Sequence, residues 1–282
     1  MRSCIAVLTR GYSSVLMYSN LIRRNKAIQE NLTDKTTDIL IFHEGNITIE
    51  HQTHIADETP DLRIMFVDVN NGHAFKSEKT SITFHPGTSM FGIGYRHMCS
   101  FWFVDFWYFV TGYDRILRID EDCYIDFNID AVLAKLDNYN FICGRWMEDV
   151  DFVVIDLNKT TLDFLPHDTL GIKPFLFENA HSGAFSSAES DFATRIFNAR
   201  RCKDPAGPYT NVFALNLQNI RTHQLLSEYI KIIEDSGNIY RNRWGDLPLW
   251  GEAIHYLFGM KSVLIDTNIR YLHESHDMKV NY

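Results

Sequence analysis

Residues 113–125 read YDRILRIDEDCYI, and their reading decides the fold. Ile116, Leu117 and Ile119 form a short apolar, β-branched run of the kind that makes a buried strand. The run discharges directly into Asp120, Glu121 and Asp122. Acids at the C-terminal end of a strand lie where open α/β sheets bind their ligands. Three adjacent carboxylates raise one another's proton affinity unless a cation sits among them. On an extended chain Asp120 and Asp122 would share a side and Glu121 would point away. Two hard oxygen donors on one side suit Mn²⁺ or Mg²⁺, which keeps its other positions for water and phosphate oxygens. Short acidic runs also end strands merely solvated, so the neighbouring segments have to carry weight.

Upstream, Ile5–Thr9 predicts a first buried strand, followed by Arg10 and Gly11 and then a helix capped by Ser13 or Ser14 and running to about Glu30. Asp38–Phe42 predicts a second strand, so the opening is one parallel βαβ unit. Thr9, Arg10 and Gly11 then fall on the first βα loop, a usual place for nucleotide contacts. Residues 46–62 and 70–93 read as loops around a strand at Arg63–Val69, and Tyr95 to Val110 as one deeply buried helix. Downstream come a helix at Asp130–Leu136, strands at Phe141–Gly144, Asn211–Leu217 and Ser262–Ile265, and a helix from Ile220 to Ser236 stopped by Gly237. Residues 145–210, broken by Pro166, Pro174, Pro205 and Pro208, are the least legible. Asp246, two residues before Pro248, reads as the cap of a helix continuing through Trp250, Ile254 and Leu257. The expectation is a single α/β domain over 1–282, with 1–125 as the nucleotide-binding half and 126–282 as the acceptor-binding half.

Composition excludes other classes. A chain of 282 residues, 45% hydrophobic and 22% charged, is long enough for a sizeable core and too apolar to be disordered. Its net charge of −9 argues against a nucleic-acid partner. The five cysteines at 4, 99, 123, 143 and 202 form no C-x-x-C pair and read as reduced, buried thiols. No stretch reaches about 18 apolar residues, so the sequence leads us to expect a cytoplasmic protein with no signal peptide or membrane anchor. The sequons at Asn31, Asn46 and Asn158 would matter only in a secretory compartment.

Four segments, in order, carry a resemblance: YRHMCSFW from Tyr95, YDRILRIDED, IYRNRWGDLPLWGEAI and IRYLHESH. Together they resemble glycosyltransferase family 15, the fungal Golgi α-1,2-mannosyltransferases. The resemblance implies a GT-A fold (a Rossmann-like mixed sheet flanked by helices), a nucleotide-sugar donor, Mn²⁺ (or Mg²⁺) and a glycan or glycoprotein acceptor. It puts the family's acidic metal motif on Asp120, Glu121 and Asp122, and its closing metal-binding histidine on His273, with His276 as the next candidate. It places Tyr95 near the donor and Asp246 at the RWGD aspartate. The chain departs from the family at Phe213, where the family carries a glutamate proposed as nucleophile or front-face stabiliser, and at Ser100, where it has an arginine. GDP-mannose is the implied donor, with a UDP-sugar such as UDP-xylose as runner-up. Asp246 would be the base in an inverting reaction, or an anchor for the donor sugar in a retaining one. A metal-dependent phosphohydrolase and a catalytically silent sugar-binding domain are the other classes open to the same carboxylates.

Overall fold

The computed structural model describes residues 1–70, 74–75, 77–149, 153–165 and 206–277. The first four strands are β1 (Ser3–Leu8), β2 (Asp38–His43), β3 (Arg63–Asp68) and β4 (Arg115–Ile119). A short β5 (Cys123–Ile125) follows, then β6 (Phe141–Cys143), β7 (Trp146–Glu148), β8 (Ala206–Pro208) and β9 (Val212–Asn216). Two more, β10 (Val263–Ile265) and β11 (Tyr271–His273), lie near the C-terminus. Seven of them form the central sheet, in the order β10-β6-β9-β4-β1-β2-β3. The pairings β1–β2, β2–β3, β1–β4 and β6–β10 are parallel, while β9 runs antiparallel between β4 and β6. The sheet therefore draws strands from both sides of residue 125.

Every residue of β2 and of β4 is buried, so their apolar residues fall side by side (Ile39–Phe42, Ile116 and Leu117) rather than alternating with polar ones. Helices cover both faces. On one, Ile28 of α1 (Ser19–Asn31) and Val132 and Leu133 of α4 (Ile129–Lys135) pack on Ile5, Ile39, Leu117 and Ile142. On the other lies an aromatic core centred on Trp250, whose ring meets Phe103 at 5.2 Å, Phe213 at 5.7 Å and Phe141 at 5.9 Å between centroids.

Several element boundaries differ from the sequence reading, each for a local reason. Residues 49–57, read as loop, form α2 (Ile49–Asp57), whose first turn is closed by Thr48 accepting from the His51 amide. The helix expected from Tyr95 to Val110 is α3 (Ile93–Ser100), followed by a widened turn over Phe101–Asp105 and a tight one over Phe106–Tyr108. That change of pitch lets Phe101, Trp102, Phe103 and Phe106 all be buried, which a straight α-helix with one apolar stripe would not. The Ile220–Ser236 helix is two, Leu217–Arg221 and Gln224–Ser236, broken where the Thr222 hydroxyl donates to the Asn219 carbonyl at 2.7 Å. Gly237 does end the second, in the left-handed region at φ 65°. Cys4, Cys99, Cys123 and Cys143 are free and buried; Cys202, with Pro166, Pro174 and Pro205, lies outside the described residues.

Candidate active site

Because β1, β2 and β4 run parallel, their C-terminal ends share one edge. That edge gathers Thr9, Arg10 and Gly11 after β1, Glu44 and Asn46 after β2, and the three acids after β4. The acids are not extended, as the alternation argument expected. The chain turns at once: the Asp120 carbonyl accepts from the Cys123 amide at 3.1 Å, and the Asp120 amide donates to the Asn211 carbonyl at 2.8 Å. The three carboxylates therefore fan out to three different partners.

Asp122 meets His273. The antiparallel pair β5–β11 sets His273 opposite Cys123, and the Glu274 amide donates to the Asp122 carbonyl at 3.1 Å. His273 Nε2 then stands 3.4 Å from Asp122 Oδ1. Burial works against the Asp122 charge, but hydrogen bonding with His273 and Ser275 outweighs it and brings that carboxyl down to about 2. Tyr209 Oη lies 2.7 Å from His273 Nδ1.

These residues fit a hard divalent cation. Asp122, Cys123 and His273 each offer one donor atom, all within 4.8 Å of one another. Neighbouring ligands on an octahedral ion with bonds near 2.1 Å stand about 3 Å apart, close to the Asp122–His273 separation. An Nε2 lone pair for the metal requires the proton on Nδ1, where Tyr209 Oη is placed to receive it. Burial pushes the Cys123 thiol well up, and soft sulfur is a poor partner for Mn²⁺ or Mg²⁺, so Asp122 and His273 are the fitting pair. Asp120 stands outside this group, because both its oxygens are taken by Arg118, from Nε at 2.7 Å and Nη2 at 3.0 Å. The side chain of His276 lies outside the described residues.

Glu121 turns the other way, toward the first βα loop. Its carboxylate accepts from the Thr9 hydroxyl and, at 2.6 Å, from Tyr12 Oη. Burial and this hydrogen bond push the Tyr12 hydroxyl up to about 12. A cleft of about 530 Å³ opens here, lined among others by Thr9, Arg10, Gly11, Tyr12, Tyr95, Met98 and Glu121. Five residues expected to contact the donor thus line one cleft. Gly11 is required by close approach, since a Cβ there would come 2.1 Å from the Asn46 carbonyl oxygen. Tyr95 is held by Arg243, whose Nη2 donates to its hydroxyl at 2.6 Å and whose guanidinium lies 4.4 Å from the Phe91 ring centre. Arg243 itself adopts φ 65°, an uncommon backbone for a non-glycine residue, and pairs with Asp149 at 2.8 Å.

Asp246 is not a helix cap. It is the first residue of the helix Asp246–Ala253, Gly245 occupies the cap position, and no side chain bonds there. Its carboxylate is drawn instead to Arg118, which pairs with it through Nη1. Asp246 is only 5% exposed. The helix is seated by two close approaches: a Cβ on Gly251 would meet the Ala206 carbonyl oxygen at 2.2 Å, and one on Gly207 the Leu247 carbonyl oxygen at 2.2 Å. Phe213 stands opposite Arg118 in the β4–β9 register and is buried in the aromatic core.

Sequence reasoning missed Arg118, Tyr12, Tyr209 and Arg243. Arg118 had a signal only in its closeness to Asp120, which an arginine inside an apolar strand disguises as an interruption. Tyr209 had none, since only the fold brings it to His273.

No protein-family model and no curated protein sequence matches the chain. Solved structures do. The mannosyltransferase Ktr4p from S. cerevisiae superposes with a TM-score of 0.70 at 16% identity, covering 96% of this chain and 70% of its own. Core-mannan synthase A (CmsA/Ktr4) from Aspergillus fumigatus, in a Mn/GDP form, gives a TM-score of 0.71 at 17% identity, covering 97% and 74%. Mouse xyloside xylosyltransferase 1, in its apo form, gives 0.52 at 13%, covering 94% and 85%. With its mixed seven-stranded sheet and acidic turn at the β4 end, the chain has the GT-A glycosyltransferase fold, in the form seen in these two mannosyltransferases.

Proposed function

We propose that this protein is a metal-dependent glycosyltransferase that moves mannose from GDP-mannose to a hydroxyl of a glycan or glycoprotein. The observation that carries the reading is the meeting, on one edge of a GT-A sheet, of the Asp122–His273 pair with the cleft lined by Thr9, Gly11, Tyr95 and Glu121. The Mn/GDP form of the Aspergillus structure supports the choice of nucleotide and metal.

Asp122 and His273 would hold the Mn²⁺, which when bound supplies positive charge to the diphosphate as it leaves. The chain's own residues do the rest. The first βα loop, kept open by Gly11, receives the nucleotide, and Glu121 fixes that loop through Thr9 and Tyr12. Tyr95, held by Arg243, forms the facing wall. Asp246 accepts a hydrogen bond from a hydroxyl of the donor sugar. Its burial and its pairing with Arg118 favour this anchoring role over that of a base open to an incoming acceptor.

The test is a thermal-shift and turnover screen of GDP-mannose, GDP, UDP-xylose and UDP, each with and without Mn²⁺. Stabilisation by GDP-mannose that requires Mn²⁺, with sugar transfer to a mannoside acceptor, is the expected result. Preference for the uridine pair would replace the donor, and nucleotide release unaffected by any acceptor would replace transfer by hydrolysis.

A further inference from the structure

Arg118 joins the two carboxylates that lie outside the Asp122–His273 pair. Its side chain is 4% exposed. Two of its nitrogens grip Asp120 in a fork, the third pairs with Asp246, and its Cζ lies 4.5 Å from the Trp102 ring centre. Nη2 also lies 3.8 Å from the Met98 sulfur, and Met98 lines the cleft. A guanidinium bound on two sides and stacked on a ring has a fixed plane, so it dictates the direction of any carboxylate it holds.

That direction matters for Asp246. A carboxylate in the first turn of a helix ordinarily swings toward the exposed amides of that turn. Here Gly245 is the cap, no side chain caps the helix, and the carboxylate lies on Arg118 through Oδ2. Arg118 thus fixes both carboxylates, one on each side. A sugar presents hydroxyl donors, and an acceptor-only group of fixed orientation is what selects them.

We propose that Arg118 is a positioning residue that aims Asp246 at a hydroxyl of the donor sugar. It thereby governs how tightly the sugar part of the donor binds while leaving nucleotide binding alone. The proposal rests on the reading of Asp246 as the sugar anchor.

The experiment measures affinities for GDP-mannose and for GDP, with Mn²⁺, in the parent, Arg118→Met, Arg118→Lys, Asp246→Asn and the double variant Arg118→Met/Asp246→Asn. Loss of one charged hydrogen bond corresponds to about a tenfold change. Arg118→Met is expected to weaken GDP-mannose by about that factor and to leave GDP within about twofold. Asp246→Asn should do the same, and the double variant should lose no more than the larger single, because both remove one contact. Arg118→Lys keeps the buried charge but not the fork, and should show the same selective loss to a smaller degree. It carries the test if Arg118→Met does not fold. Equal loss of GDP and GDP-mannose would make Arg118 a purely structural group and overturn the proposal. So would parental GDP-mannose binding in the Arg118 variants, or losses that multiply in the double variant. If Asp246→Asn loses the sugar and the Arg118 variants do not, the Arg118 role alone falls. A parent that binds GDP but not GDP-mannose overturns the donor assignment and this proposal together.

Discussion

His273 Nε2 stands 3.4 Å from Asp122 Oδ1, though 151 residues separate them in the chain, because β11 pairs antiparallel with β5. The separation matches two neighbouring positions on one octahedral ion, and Tyr209 on Nδ1 fixes the ring that would present Nε2. Asp122→Asn and His273→Ala should each lower Mn²⁺ affinity by roughly 10–100-fold or more, a scale taken from losses at supporting residues of metal sites. Asp122→Asn should also abolish sugar transfer with the fold intact. Calorimetric titration with Mn²⁺, alongside circular dichroism, measures this; parental affinity in both variants would remove the metal assignment.

The same pair gives a pH dependence. The Asp122 carboxyl lies near 2 when folded, below its unfolded value of about 3.9. A depressed carboxylate stabilises the fold fully above the unfolded value and loses that contribution as pH falls through the folded one. In protein stripped of metal, the melting temperature of the parent should exceed that of Asp122→Asn at pH 6. The gap should close between about pH 4 and pH 2. Melting curves that stay parallel over this range would show that Asp122 carries no such charge interaction.

Gly11→Ala should damage nucleotide binding more than stability. The added methyl meets the Asn46 carbonyl oxygen at 2.1 Å, so one of the two loops lining the cleft has to move. Both lie at the sheet edge, away from the Trp250 core, which makes local displacement cheaper than unfolding. GDP affinity is expected to fall at least tenfold while the melting temperature drops by only a few degrees. Unchanged GDP affinity would place the nucleotide elsewhere.

How much of this was legible in the sequence depended on the range of the interaction. Strands β1 and β2 announce themselves because they are buried and spell the apolar runs Cys4–Leu8 and Ile39–Phe42, and β4 through Ile116, Leu117 and Ile119. The first βα loop followed from strand order, and His273 from a resemblance. The conformation of the acids was not legible. Alternation holds only while a strand continues, and β4 ends at Ile119, with Asn211 of the neighbouring chain segment taking the Asp120 amide. The Arg118 contacts with Asp120 and Asp246 were hidden for the opposite reason: an arginine inside an apolar strand reads as an interruption until its partner, 128 residues away, is in place. The capping role expected of Asp246 failed for the same reason, since a buried guanidinium outcompetes helix amides for a carboxylate.

The final prediction concerns the anomer of the product. An inverting displacement needs a base beside the acceptor hydroxyl. At the β4 end, Asp120 and Asp246 are both held by Arg118, Glu121 by Thr9 and Tyr12, and Asp122 by His273. On β9, Phe213, which stands where the resemblance would put a glutamate, is packed into the aromatic core. Among the described residues the β4 end therefore offers no uncommitted base, and β9 no carboxylate nucleophile. The remaining route is attack on the face the leaving group departs from, with a diphosphate oxygen taking the acceptor proton. We expect the product to keep the anomeric configuration of the donor, and Asp246→Asn to reduce transfer at least about tenfold through weaker GDP-mannose binding. NMR of the product formed in the first minutes gives the configuration directly. An inverted anomer, together with an Asp246→Asn variant that binds GDP-mannose normally but turns over at least ~10²-fold more slowly, would instead make Asp246 the base.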